Sequence, residues 1–133
     1  MAPPLMRSPM RSPLGRAIGL GSAKEGVEHW WAQRVSALAL VPLALWFVIA
    51  IIGLVGADRA LVVDWVRHPG PAILLVLLLI ATFYHGALGL QVVIEDYVDN
   101  KTLRFGLLIV MRLAAIVFAA RGIFAVLKLS LGA

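Results

Sequence analysis

The chain has 133 residues, of which 62% are hydrophobic and only 14% charged, and its mean hydropathy is +0.95. Soluble domains are usually about 45–50% apolar and about 25% charged, so this composition excludes an ordinary soluble domain and indicates an integral membrane protein. The net charge of +5 accompanies no nucleic-acid motif or aromatic-interleaved basic stripe, and the absence of cysteine excludes disulfides, thiolate metal sites and thiol catalysis.

Residues 1–28 read as a basic, proline-rich tail and an irregular approach to the membrane. The first sixteen residues carry Pro3, Pro4, Pro9 and Pro13 among Arg7, Arg11 and Arg16, and no apolar core of a secretory signal. Their Arg and Ser bias is shared with mitochondrial transit peptides, but the prolines oppose an amphipathic helix, and a disordered cytoplasmic tail is expected. His29, Trp30, Trp31, Ala32, Gln33 and Arg34 suit the headgroup region, where an amphipathic ring beside a cation is comfortable.

Three apolar runs follow. The first, Val35 to Gly56, is long enough to span a bilayer, which needs about 20 residues. It contains Pro42, where a mild kink is expected. Residues 57–70 read as a loop in which Trp65 anchors an interfacial turn. The second run, Pro71 to Ile94, opens on a proline suited to a first helical turn. It ends in the short acidic loop Glu95-Asp96-Tyr97-Val98-Asp99-Asn100-Lys101. The third run, Phe105 to Gly132, contains Arg112, Arg121 and Lys128. Lys128 can snorkel to the far interface, whereas Arg112 is costly at depth and should reach an interface or a partner acid.

The expected fold is therefore all-α and membrane-integral: a tail over 1–28 and a membrane domain over 29–133, with transmembrane helices at about 30–56, 71–96 and 104–131. Short connections make these an up-down-up bundle. Three helices bury little among themselves, so a partner chain is expected to complete it. Arg7, Arg11, Arg16, Lys24, Arg34, Lys101 and Arg104 fall on one side and Arg59 and Arg67 on the other. By the positive-inside rule the N-terminus is cytoplasmic (or in the matrix) and the C-terminus lies outside.

The chemistry concentrates on the second span. On a helical wheel Leu78, Ala81, His85, Gly89, Val92 and Asp96 share one stripe. Gly89, one turn from His85, lets another helix or a flat cofactor approach. Asp96 lies about three turns, or ~16 Å, further along, with Tyr97 beside it. Three readings of His85 compete on residue type alone. It is packing glue hydrogen-bonded to a neighbouring helix, a proton relay, or an axial haem ligand. The last needs a second histidine at the same depth. His29 precedes the first span and His68 lies in the outer loop, so a partner must supply it. Arg34 reads either as a snorkelling topology marker or as a cation for an acidic group such as a haem propionate. Ser36 invites a hydrogen bond back to its own helix. Tyr97 reads as an interfacial belt residue or as a hydroxyl donor to a quinone carbonyl.

The stretch His85-Gly86-Ala87-Leu88-Gly89-Leu90-Gln91-Val92-Val93-Ile94-Glu95-Asp96-Tyr97-Val98 resembles the second-helix signature of the small, cytochrome b-anchoring membrane subunit of succinate dehydrogenase, with its His, the Gly four later, the Gln two after that and the closing Asp-Tyr. His29-Trp30-Trp31-Ala32-Gln33-Arg34-Val35-Ser36-Ala37 is similar to the entry of that family's first helix, particularly in alphaproteobacterial members. The likeness covers about residues 27–130.

The resemblance implies that His85 is this chain's axial ligand to the iron of a b-type haem, and that a large cytochrome b subunit gives the second ligand. It implies Arg34, and more weakly His29, near a haem propionate, and Asp96 and Tyr97 lining a ubiquinone site beside the iron–sulfur subunit. It also implies a flavoprotein subunit, a bacterial inner membrane, and electron transfer from succinate to quinone in which this chain does no succinate chemistry itself. The alternative is a cofactor-free membrane scaffold or a proton-translocating subunit.

Overall fold

The computed structural model describes residues 22–132, with side chains from Gly26 onward, so most of the expected tail lies outside the described residues. Four helices follow in order: α1 (Ser22–Gly53), α2 (Arg59–Arg67), α3 (Pro69–Tyr97) and α4 (Lys101–Ser130). Three are long and apolar enough to cross a membrane, over Gly26–Gly53, Pro69–Tyr97 and Lys101–Ser130. The chain divides into two compact units, Met1–Trp31 and Ala32–Ala133. In the first, Trp30 and Trp31 meet edge to face with ring centroids 5.1 Å apart.

The second unit holds the bundle. Its helices run antiparallel in sequence, as their cross-contacts show. Arg104 meets Glu95, Arg112 meets Gln91, and Gly122 lies against Leu79, so α4 descends as α3 rises. Ser36 meets His85 and Gln33 meets Gly89, which sets α1 antiparallel to α3 in the same way. The closest pair is α3 and α4.

The helix ends differ from expectation at each junction, for local chemical reasons. α1 begins at Ser22, not near residue 30, and runs on through Pro42 to Gly53. A turn then leads to Gly56, whose φ of 82° lies in the region open to glycine. The expected 57–70 loop is instead largely the nine-residue helix α2. Asp58 caps it by accepting from the backbone N–H of Leu61 at 2.9 Å. Trp65 stacks on Trp46 of α1, with centroids 6.0 Å apart and planes 17° from parallel. α3 starts at Pro69, whose missing N–H is no loss in a first turn. α4 starts at Lys101 because the Asn100 side chain accepts from the N–H groups of Thr102 and Leu103 at 3.0 and 3.1 Å.

Almost none of this apolar surface is buried within the chain. Among the described residues only Val66, Ala72 and Ser36 are buried, and the spans expose Leu, Ile, Val and Phe on every side. In water such an arrangement would not hold. In a bilayer the hydrocarbon solvates those faces, and helices satisfy their own backbone groups.

Candidate functional site

The site is built where α1 crosses α3. Ser36 is 6% exposed, the one polar residue buried among those described. Its Oγ lies 2.8 Å from His85 Nδ1 and donates to the Gln33 backbone carbonyl at 3.1 Å. The other ring nitrogen, Nε2, makes no hydrogen bond among the described residues.

Gln33 lies over the Gly89 flank of this contact: a Cβ added at Gly89 would stand 3.9 Å from Gln33 Nε2, an ordinary van der Waals distance. Gln33 Oε1 is buried without a hydrogen-bond partner among the described residues. Alongside lies a shallow cavity of about 390 Å³ between α1 and α3, walled by Ala32, Ser36, Ala39, Ala81 and Tyr84 among others.

The remaining sequence-nominated residues are more dispersed. Arg34 is exposed on α1. Being two residues before Ser36, it stands about 200° around the helix from the His85 contact. His29 belongs to the N-terminal unit, and its Nε2 is buried without a hydrogen-bond partner among the described residues. Asp96 and Tyr97 close α3, both exposed, Tyr97 at 82%. His68, set aside as a ligand because of its position, donates from Nδ1 to the backbone carbonyl of Asp64 at 2.8 Å and finishes α2.

The structure adds a second polar cluster that the residue pattern had not assembled. Arg112 Nη2 donates to Gln91 Oε1 at 3.1 Å, and Gln91 Nε2 donates to Glu95 Oε1 at 2.9 Å. Among the described residues, Arg112 therefore bonds a neutral amide, which carries the link to a carboxylate. Arg112 and Gln91 also line a groove of about 440 Å³ between α3 and α4, whose walls include Phe83, Tyr84, Ala87 and Ala115.

Comparison with known proteins identifies the family. Residues 8–121 match the family described as succinate dehydrogenase/fumarate reductase transmembrane subunit. The succinate dehydrogenase hydrophobic membrane anchor subunit of Rickettsia bellii is 35% identical over 87% of this chain and 93% of its own length. That of Paracoccus denitrificans is 32% identical over 92% of this chain and 94% of its own. No solved structure gives a significant match. With three helices fit to span a bilayer and a family match over most of its length, this multi-pass membrane protein belongs to the succinate dehydrogenase/fumarate reductase transmembrane subunit family.

Proposed function

We propose that this chain is the hydrophobic membrane anchor of a bacterial succinate dehydrogenase, and that it supplies one wall of a haem b site and one wall of a ubiquinone site. The observation that carries the reading is the Ser36–His85 contact at 2.8 Å. It occupies Nδ1 and leaves Nε2, the nitrogen an axial imidazole uses, without a partner among the described residues.

The residues fit such a group. Among the described residues no three His, Asp or Glu side chains are arranged to hold a bare metal ion. A haem iron would need no such cluster, and His85 would supply one of its two protein ligands. The second comes from the large cytochrome b subunit, whose helices also cover apolar faces that this bundle leaves open. When bound, haem b supplies a one-electron carrier within the membrane. The family resemblance assigns Arg34, and more weakly His29, to its propionates.

Asp96 and Tyr97 stand at the end of α3 where the iron–sulfur and flavoprotein subunits dock. A ubiquinone head entering laterally from the lipid meets the Tyr97 hydroxyl, and Asp96 orients water toward the oxygens that take up protons. The family likeness supports a role in electron transfer from succinate to quinone, and the positive-inside charge distribution puts this face in the cytoplasm.

The deciding experiment is the reduced-minus-oxidised optical spectrum of the purified complex. A b-type band is expected in the wild type and is lost in His85→Ala while the subunits still assemble. A wild-type complex without haem absorption sinks the haem assignment and favours a cofactor-free anchor.

A further inference from the structure

We propose that Ser36 is the positioning residue of His85: it holds the imidazole in the Nδ1-protonated tautomer and leaves the Nε2 lone pair as the ligating atom. This rests on the haem reading above and assigns a role to a residue on a different helix.

The argument is one of proton counting. The Ser36 hydroxyl has one hydrogen and two neighbours, the Gln33 carbonyl at 3.1 Å and His85 Nδ1 at 2.8 Å. A carbonyl oxygen only accepts, so satisfying that contact commits the hydroxyl hydrogen to Gln33. Ser36 Oγ then meets Nδ1 as an acceptor, and Nδ1 must carry the ring's N–H. A neutral imidazole has one N–H, so Nε2 is bare. Were the hydroxyl turned the other way, Nε2 would hold the proton and the ring could not ligate through it.

The bond back to the i−3 carbonyl is therefore what makes Ser36 an acceptor. It also fixes the ring's rotation, because Ser36 is buried and its backbone is part of α1. An acceptor on the non-ligating nitrogen raises the basicity of the ligating one and holds its orientation.

The test uses the complete purified complex and three substitutions, Ser36→Ala, Ser36→Val and Ser36→Thr. Val and Thr have the same shape and differ in the hydroxyl, and Thr retains the ability to bond the preceding turn. The readouts are haem content per flavin, haem midpoint potential and the electron paramagnetic resonance g values, none of which requires turnover. The Ala and Val variants are expected to keep the complex assembled. Their haem is either depleted or shifted to a higher potential with altered g values, because a less electron-rich imidazole stabilises ferric iron less. Thr is expected to match the wild type.

Ala and Val variants with wild-type haem content, potential and g values overturn the proposal. So does a Thr variant that behaves like Val. Loss of the assembled complex in both apolar variants, with Thr intact, assigns Ser36 to packing of α1 on α3 and also overturns it. A wild-type complex without a b-type band removes the parent reading and this one together. An unresponsive haem in Ser36→Ala removes only the role of Ser36.

Discussion

Arg112 and Gln91 are joined across the α3–α4 pair by a hydrogen bond of 3.1 Å, and the guanidinium finds no carboxylate of its own in the described chain. Gln91 lies about 9 Å along α3 from Tyr97, inside the apolar run. A cation at that depth is tolerated only with acceptors at hand. Gln91 acts as an adaptor, taking the guanidinium on its carbonyl and passing its amide hydrogen to Glu95 at 2.9 Å. The order of damage on mutation follows from this polarity.

Gln91→Leu removes the acceptor and strands the cation, so a loss of about 1–3 kcal/mol in complex stability is expected. Arg112→Leu removes the cation and leaves Gln91 still bonded to Glu95. Hydrogen bonds between membrane helices average about 0.6 kcal/mol, so the loss there should stay below about 1 kcal/mol. The double variant should recover most of the Gln91→Leu loss. Unfolding of the detergent-solubilised complex against heat or SDS measures all three. A double variant as poor as the sum of the singles contradicts the adaptor role.

Gly122 offers an independent check on the α3–α4 packing. A Cβ there would lie 3.1 Å from both terminal methyl carbons of Leu79, too close without movement of that side chain. Replacing glycine by alanine within a helix ordinarily gains about 1 kcal/mol. Gly122→Ala is expected to forfeit that gain, and to recover it in a Leu79→Ala background. A double-mutant cycle with coupling near zero would mean that the two helices do not approach here as described.

The sequence reveals the three spans because twenty-odd apolar residues between charged segments have one physical solution in a bilayer. It does not reveal their ends as well. α2 was hidden because its nine residues carry Arg59, Asp64 and Arg67, which read as loop. The usable signals were Asp58 at the cap position and the apolar stripe Leu61, Val62, Trp65, Val66. At the site, His85 and Gly89 stood out because an ionisable group and a small residue one turn apart are conspicuous on an apolar helix. Ser36 was readable only as a serine bonding its own helix. That half is present, as the contact to Gln33. Its other half needs α1 and α3 at one register, which hydropathy does not encode. The Arg112–Gln91 contact was missed for the same reason.

Orientation is the next expectation to test. Three candidate spans among the described residues, if all cross, are expected to leave Gly26 and Ser130 on opposite sides of the membrane. Arg34, Lys101 and Arg104 mark one side, and Arg59 and Arg67 the other, with the tail arginines reinforcing the first. A reporter fused after Ala133 should give a periplasmic signal, and one inserted between Asp99 and Asn100 a cytoplasmic one. The reverse pair of signals inverts the bundle and removes Asp96 and Tyr97 from the face proposed for docking the dehydrogenase.

Tyr97 carries the sharpest functional expectation. It is the last residue of α3, it is 82% exposed, and its hydroxyl makes no hydrogen bond among the described residues. A hydroxyl so placed is free to donate to a group outside the chain. Tyr97→Phe removes one such bond and leaves the ring to keep its place at the interface. A net hydrogen bond is worth about 0.5–1.5 kcal/mol, which corresponds to roughly a two- to tenfold fall in succinate–quinone reductase activity. Succinate-dependent reduction of a soluble dye, which takes electrons without the membrane quinone site, should be unchanged. Equal loss of both activities would trace the defect to misassembly. Unchanged quinone reduction would leave Tyr97 as an interfacial anchor and move the quinone's hydrogen-bond donor elsewhere.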